Sequence, residues 1–159
     1  MSRFTHLDSE GHVRMVDVTD KMPTARRAVA RGLVRMQAET LEMIYDQKIK
    51  KGNVLETARI AGIMAAKKTA ALVPMCHPLN LTHVQVDFWP QPADSALRIE
   101  AAVRIVDQTG VEMEALTAVA VTALTIYDMC KSYDRSMTIT DIYLLEKSGG
   151  KSGTYHRED

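Results

Sequence analysis

The segment Glu112–Lys131, EMEALTAVAVTALTIYDMCK, decides how the rest of the chain is read. Thirteen uncharged residues separate Glu114 from Asp128, so charge falls only at the two ends. Leu116, Val119, Ala120, Ala123, Leu124 and Tyr127 recur at helical spacing. The opposite side carries Ala118, Val121, Thr122 and Thr125, which make no solvated face. A helix apolar nearly all round is buried on most sides. Glu112 and Glu114 suit the positive end of its dipole and Lys131 the negative end. Capping alone accounts for these charges as readily as chemistry does. Asp128 and Lys131, three apart, share a face and can touch. Glu114 and Asp128, fourteen apart, stand roughly 21 Å from each other along the axis. One copy of the chain cannot bring both ends to one small substrate. The expectation is an oligomer whose sites lie across a subunit boundary.

The totals fit a single domain. The chain has 159 residues, 46% of them hydrophobic and 25% charged, enough for a substantial core. Twenty basic residues balance twenty acidic ones, which argues against broad attraction to nucleic acid or membrane and leaves only local anion sites. No apolar run reaches membrane-spanning length, and MSRFTHLDSEG lacks a signal-peptide core, so a cytoplasmic protein is expected. Cys76 and Cys130 make neither a disulfide framework nor a paired zinc spacing. No metal ligands and no cofactor are expected.

Working outward, residues 1–12 read as a flexible N-terminus, with His6 and His12 solvated. Residues 13–18 suggest a short extended piece. TARRAVARGLVRM is ambiguous: its alanines permit a helix, while alternation of Arg27, Val29, Arg31, Leu33 and Arg35 permits a strand. A strand over 26–36 is preferred because the later order of elements needs one. Its arginines, Arg26, Arg27, Arg31 and Arg35, read as a solvated face more readily than as an anion contact. A helix over 38–48 points Leu41, Ile44 and Tyr45 inward. A second, over 53–70, starts at an Asn53 N-cap and shows an apolar stripe of Ile60, Ile63, Met64 and small alanines. Lys51-Gly52 before it suits an anion at a helix start.

Between Leu72 and Leu79, Pro74 and Pro78 bracket Met75, Cys76 and His77. Prolines restrict themselves and the residue before them, so His77 sits in a rigid loop, placed for ligand contact or for a structural hydrogen bond. Two strands follow, Val84–Phe88 and Leu97–Ile105, joined by a short turn as an antiparallel hairpin. A last strand over 136–146 closes the domain, which spans 13–146. KSGGKSG at 147–153 lacks the first glycine of a phosphate-binding loop and has too little chain after it for the helix. Residues 147–159 read as a basic flexible tail, able to lie over a polyanion. The order of elements is βαββαβ, an α+β, ferredoxin-like fold: an antiparallel sheet with helices on one face.

Lys51, Lys67, Lys68, Lys131, Lys147 and Lys151, with Glu112, Glu114, Asp128 and His77, suit phosphate binding plus proton transfer. From these alone, the expectation is an enzyme acting on a small phosphorylated compound.

Four stretches together resemble the MoaC family of cyclic pyranopterin monophosphate synthases. They are Pro74–Leu79 (PMCHPL), Gly110–Thr117 (GVEMEALT), Tyr127–Lys131 (YDMCK) and Lys147–Gly153 (KSGGKSG), joined by Lys51-Gly52 and Thr57–Gly62 (TARIAG). The likeness spans about 12 to 153. It implies a ferredoxin-like homohexamer, a trimer of dimers with sites at subunit interfaces. It also implies conversion of (8S)-3′,8-cyclo-7,8-dihydroguanosine 5′-triphosphate to cyclic pyranopterin monophosphate with release of pyrophosphate, in molybdenum cofactor biosynthesis. Carried over by motif, Asp128, Lys131 and Lys51 are the catalytic group. Met75, Cys76, His77, Met113 and Glu114 contact substrate, and Glu112, Lys147 and Arg26 complete the pocket. The competing expectations are a non-catalytic ligand-sensing ferredoxin-like module and a metal-dependent hydrolase.

Overall fold

Alternation along TARRAVARGLVR resolves the ambiguous segment. Ala28, Ala30 and Val34 are fully buried on one side, while Arg27 and Arg31 stand on the other, so the stretch is a strand with one face in the core. In the computed structural model, which describes residues 7–158, this strand β1 (Thr24–Arg35) lies at the centre of a five-stranded antiparallel sheet. It is followed by α1 (Ala38–Tyr45), α2 (Val54–Ala66), α3 (Thr69–Leu72), β2 (His83–Gln91), β3 (Ala96–Asp107), α4 (Glu112–Cys130), β4 (Thr138–Ser148) and β5 (Tyr155–His156). The sheet order is β2-β3-β1-β4-β5, so the first four strands have the ferredoxin-like arrangement expected from the sequence. β1 pairs from Thr24 opposite Asp107 to Arg35 opposite Ala96. β2 and β3 form the expected hairpin, closed by a 3₁₀ turn at Pro92–Asp94. β4 pairs with β1 through two bulges, the second placing Asp141 at φ 53°, a left-handed conformation that aspartate tolerates.

α2 and α4 cover one face of the sheet. Their contact is made by small side chains, Ala58 and Ala65 on α2 and Ala115, Ala118 and Thr122 on α4, all buried. Gly62 lies at the closest approach, where a Cβ would run into Thr122 Oγ1 and press on the Ala118 carbonyl. Close packing leaves no room to absorb an added methyl. Gly62→Ala is expected to cost about 1–3 kcal/mol of stability, outweighing roughly 1 kcal/mol of better helix propensity. Thr122 Oγ1 is itself buried without a partner, so adding Thr122→Ala should recover part of the loss. Chemical denaturation of the single and double variants measures this coupling; simple additivity would contradict the contact.

Several expectations are corrected. The helix over 38–48 ends at Tyr45, and Tyr45, expected inward, is 41% exposed, while Leu41 and Ile44 are buried in the core and Met43 packs against it. The helix over 53–70 breaks at Lys67–Lys68, where amides reach back three residues as well as four. On α2, two large residues of the expected stripe, Ile60 and Met64, are exposed, while Ile63 packs against the core as expected and Gly62 sets the close approach to α4. On α4 the buried stripe runs Ala115, Ala118, Val119, Thr122, Ala123, Ile126, Met129 and Cys130. Leu124 is 58% exposed, and Leu116, Ala120 and Tyr127 are half-buried. A single chain thus leaves an apolar strip of both helices uncovered. β4 runs on through Lys147 and Ser148, which the sequence placed in the tail, and Tyr155–His156 returns to pair with Glu146 and Lys147. The expectations for residues 1–6, His6 included, lie outside the described residues, whereas His12 is exposed.

Candidate functional site

α4 carries a cluster of charged groups at each end. At its C-terminal end, Lys131 Nζ lies 2.7 Å from Asp128 Oδ1, one turn back on the same face. Lys51, from the loop before α2, reaches over to the same residue. Its Nζ donates to the Asp128 backbone carbonyl at 2.6 Å and sits 3.4 Å from Oδ2. That carbonyl is one of the last, unpaired ones of the helix, and a cation there is favoured by the dipole. The two ammonium groups, Lys131 first and Lys51 second, hold the Asp128 carboxyl below the usual range. All three side chains are solvent-accessible. Cys130, between them in sequence, is fully buried. Burial, then the Asp134 carboxylate, pushes its thiol up to about 11.

The N-terminal end gathers the remaining predicted residues. The loop after α3 brings Met75, Cys76 and His77 against Met113, Glu114 and Glu112 from the first turn of α4. The cavity they share is about 350 Å³. Glu114 is only 4% exposed. Burial raises its carboxyl from the ordinary 4.5 to about 7, with Glu112 adding to the rise against the lowering effect of its own backbone N–H. Cys76 is partly buried, and burial followed by the Glu114 charge raises its thiol too. His77 Nε2 is 2.8 Å from the Val16 carbonyl oxygen. A carbonyl only accepts, so Nε2 carries the proton and Nδ1 is the nitrogen left for a ligand.

Beside this cavity lies a wider one of about 740 Å³, reached by Arg26, Glu112, Gly150, Lys151 and Ser152. Arg26 donates from Nη2 to the Gln108 carbonyl at 3.0 Å and from Nε to that of Asp107 at 3.3 Å. The Gly149-Gly150 turn rides directly on its guanidinium: both glycines have positive φ, and a Cβ on Gly150 would enter Arg26 Nη1. Lys147 Nζ is 3.8 Å from Glu112 Oε1 and also bonds Ser152 Oγ. The tail expected to cover a polyanion therefore folds back on Arg26, Lys147 and Glu112.

Eight of the eleven sequence-named residues, Arg26, Met75, Cys76, His77, Glu112, Met113, Glu114 and Lys147, meet at the N-terminal end of α4. Lys51, Asp128 and Lys131 meet at the other end, and the helix between keeps the groups roughly 21 Å apart. No functional role was expected of residues 13–21, yet Val16, Val18 and Lys21 form one wall of the cavity over His77. Only a short extended piece was expected there: apart from a local turn of Thr19 on Asp17, contacts with groups distant in sequence place the segment against the cavity. Lys67 and Lys68 line a further cavity behind His77 and Glu114. Among the described residues, no three His, Cys, Asp or Glu side chains gather as a metal site would need. α4 is long and apolar enough to cross a membrane by length and composition, but it packs on β1, β3 and α2 as a core helix.

The family profile described as "MoaC family" matches residues 15–150. A curated protein named cyclic pyranopterin monophosphate synthase from Desulforapulum autotrophicum is 64% identical over 155 residues, covering 98% of this chain and 95% of its own length. One of the same name from Desulfatibacillum aliphaticivorans is 62% identical, covering 99% of both chains. Another, from Thermomicrobium roseum, is 58% identical over all of this chain and 96% of its own. With these matches running through both charged ends of α4 and the folded-back tail, the chain belongs to the MoaC family.

Proposed function

We infer that this chain is a cyclic pyranopterin monophosphate synthase. It takes (8S)-3′,8-cyclo-7,8-dihydroguanosine 5′-triphosphate to cyclic pyranopterin monophosphate and releases pyrophosphate, a step of molybdenum cofactor biosynthesis. Membership of a family whose curated relatives at 57–64% identity carry that name supports the reaction. The observation that carries the chemistry is the convergence of Lys51 and Lys131 on one Asp128 carboxylate.

In this reading the working site is completed between copies of the chain. The Asp128 end of one α4 meets the His77–Glu114 end of another, which supplies both halves despite their separation. The uncovered apolar strip on α2 and α4 is where a neighbour gains most by docking. A homohexamer, a trimer of dimers working in the cytoplasm, belongs to this proposal. Arg26, Lys147 and Lys151 neutralise the triphosphate. Met75, Cys76, His77 and Met113 hold the ring system. A sugar hydroxyl attacks the α-phosphorus as pyrophosphate leaves. Lys131, positioned by its contact with Asp128, and Lys51 exchange protons with the rearranging ring. Glu114 titrates near neutrality and can give or take one as well.

Incubation of the purified protein with the cyclic dihydroguanosine triphosphate should release pyrophosphate and yield the cyclic monophosphate. Binding without pyrophosphate release would favour a non-catalytic ligand-sensing module, and activity lost with chelator would favour a metal-dependent hydrolase.

A further inference from the structure

The helix-free face of the sheet carries an arrangement that the proposed reaction does not use. Register sets Arg104 of β3 directly opposite Arg27 of β1 and, on its other side, directly opposite His83 of β2; Arg27 in turn faces Ser148 of β4. Residues directly opposite in antiparallel strands share a face. One rung across four strands therefore reads His83, Arg104, Arg27, Ser148. Like charges facing each other on a sheet are destabilising.

The surroundings relieve this only in part. Arg27 pairs with Glu146, whereas the Arg104 guanidinium has no hydrogen-bond or ion-pair partner among the described residues. Arg31 on the same face, by contrast, bonds Glu100 at 2.9 Å. The His83 Nε2 atom is shielded from solvent and makes no hydrogen bond. A buried polar atom without a partner is costly and calls for an explanation. The row borders a cavity of about 340 Å³ lined by Arg26, Arg27, Thr82, His83, Arg104 and Ser148, with no carboxylate among its lining residues. Arg26, Arg27 and the Thr82 hydroxyl already have acceptors, the Thr82 Oγ1 on the Arg104 carbonyl at 2.9 Å, which leaves the Arg104 guanidinium and the orphaned His83 nitrogen facing a hollow lined by no carboxylate.

We propose that the His83–Arg104–Arg27–Ser148 row is a binding site for a phosphate-type oxyanion, built on residues outside the clusters at the ends of α4, with Arg26 alone bordering both its cavity and the N-terminal cluster. The anion lies across the rung, takes charge-assisted hydrogen bonds from Arg104 and Arg27, and satisfies His83 Nε2. The site stands whether or not the chain performs the reaction inferred above.

The test follows the His83 ring resonances of the full-length protein during titration with inorganic phosphate at constant ionic strength, with His83→Gln to assign them. The expected result is a saturable shift. Arg104→Ala should weaken it about tenfold or more, and Arg104→Lys, which keeps a cation, should retain most of it. In phosphate-free buffer, Arg104→Ala should unfold at the same temperature as wild type or higher, because a repulsion has been removed. Four results would overturn the proposal: no saturable shift, an equal shift with chloride, a shift indifferent to Arg104→Ala, or a lower unfolding temperature for that variant. A ring signal that tracks protein concentration, with Arg104→Ala altering the oligomer, would also do so, since a carboxylate of a second copy would then fill the row.

Discussion

Replacing Lys131 with alanine is expected to cut pyrophosphate release by about 10²- to 10⁴-fold, the usual worth of a positioned acid or base. The fold should be unaffected. Lys131 and Asp128 are both largely solvent-exposed, and exposed ion pairs contribute little to stability. Thermal unfolding should therefore match wild type while turnover collapses. A second arm uses the separation of the two ends of α4. Lys131→Ala disables one end and Glu114→Gln the other, so an equal mixture that exchanges subunits at random should rebuild roughly a quarter of its shared sites. Near-normal turnover of the single variant removes Lys131 from the chemistry. Failure of every mixture to recover activity removes the shared site.

Glu114→Gln carries the second large effect, on stability. Burial raises the Glu114 carboxyl to about 7 in the fold against 4.5 in the open chain. Between these values the folded state binds more protons than the unfolded one, so stability falls as pH rises. The contribution is fully present below about pH 4.5 and is lost as pH climbs through 7. The difference amounts to roughly 3 kcal/mol. Glutamine has the same shape and no charge to bury. The variant should match wild type near pH 5, exceed it by about 2–3 kcal/mol near pH 8.5, and show a flatter profile between. Urea unfolding at the two pH values decides it. Parallel profiles for the two proteins would mean that the carboxyl stays ionised in the fold.

Strand alternation made β2 and β3 legible, because one face is core and the other solvent, and the Asn53 cap was legible because its side chain does receive the Glu56 amide at 3.1 Å. The outward turn of Ile60, Met64 and Leu124 was not. Periodicity reports a helix but not which of two apolar sides meets its neighbour; that choice was made by Gly62, whose missing side chain brings the helices together. The site residues stood out where local chemistry set them apart: His77 between two prolines, and charges at the ends of an uncharged run. Residues 13–21 gave no such sign, since they are held by groups distant in sequence, His77 on Val16 and Gln108 on Thr19.

The state of the two sulfurs has a consequence for the cell. Peroxide and electrophiles attack a thiolate, not a thiol. With its pKa near 11, Cys130 is ionised in only about one molecule in ten thousand at neutral pH, and it is buried besides. Cys76 is shifted the same way. Although YDMCK and PMCHPL set a sulfur beside working groups at each end of α4, the protein should ride out oxidative stress that silences enzymes relying on a reactive cysteine.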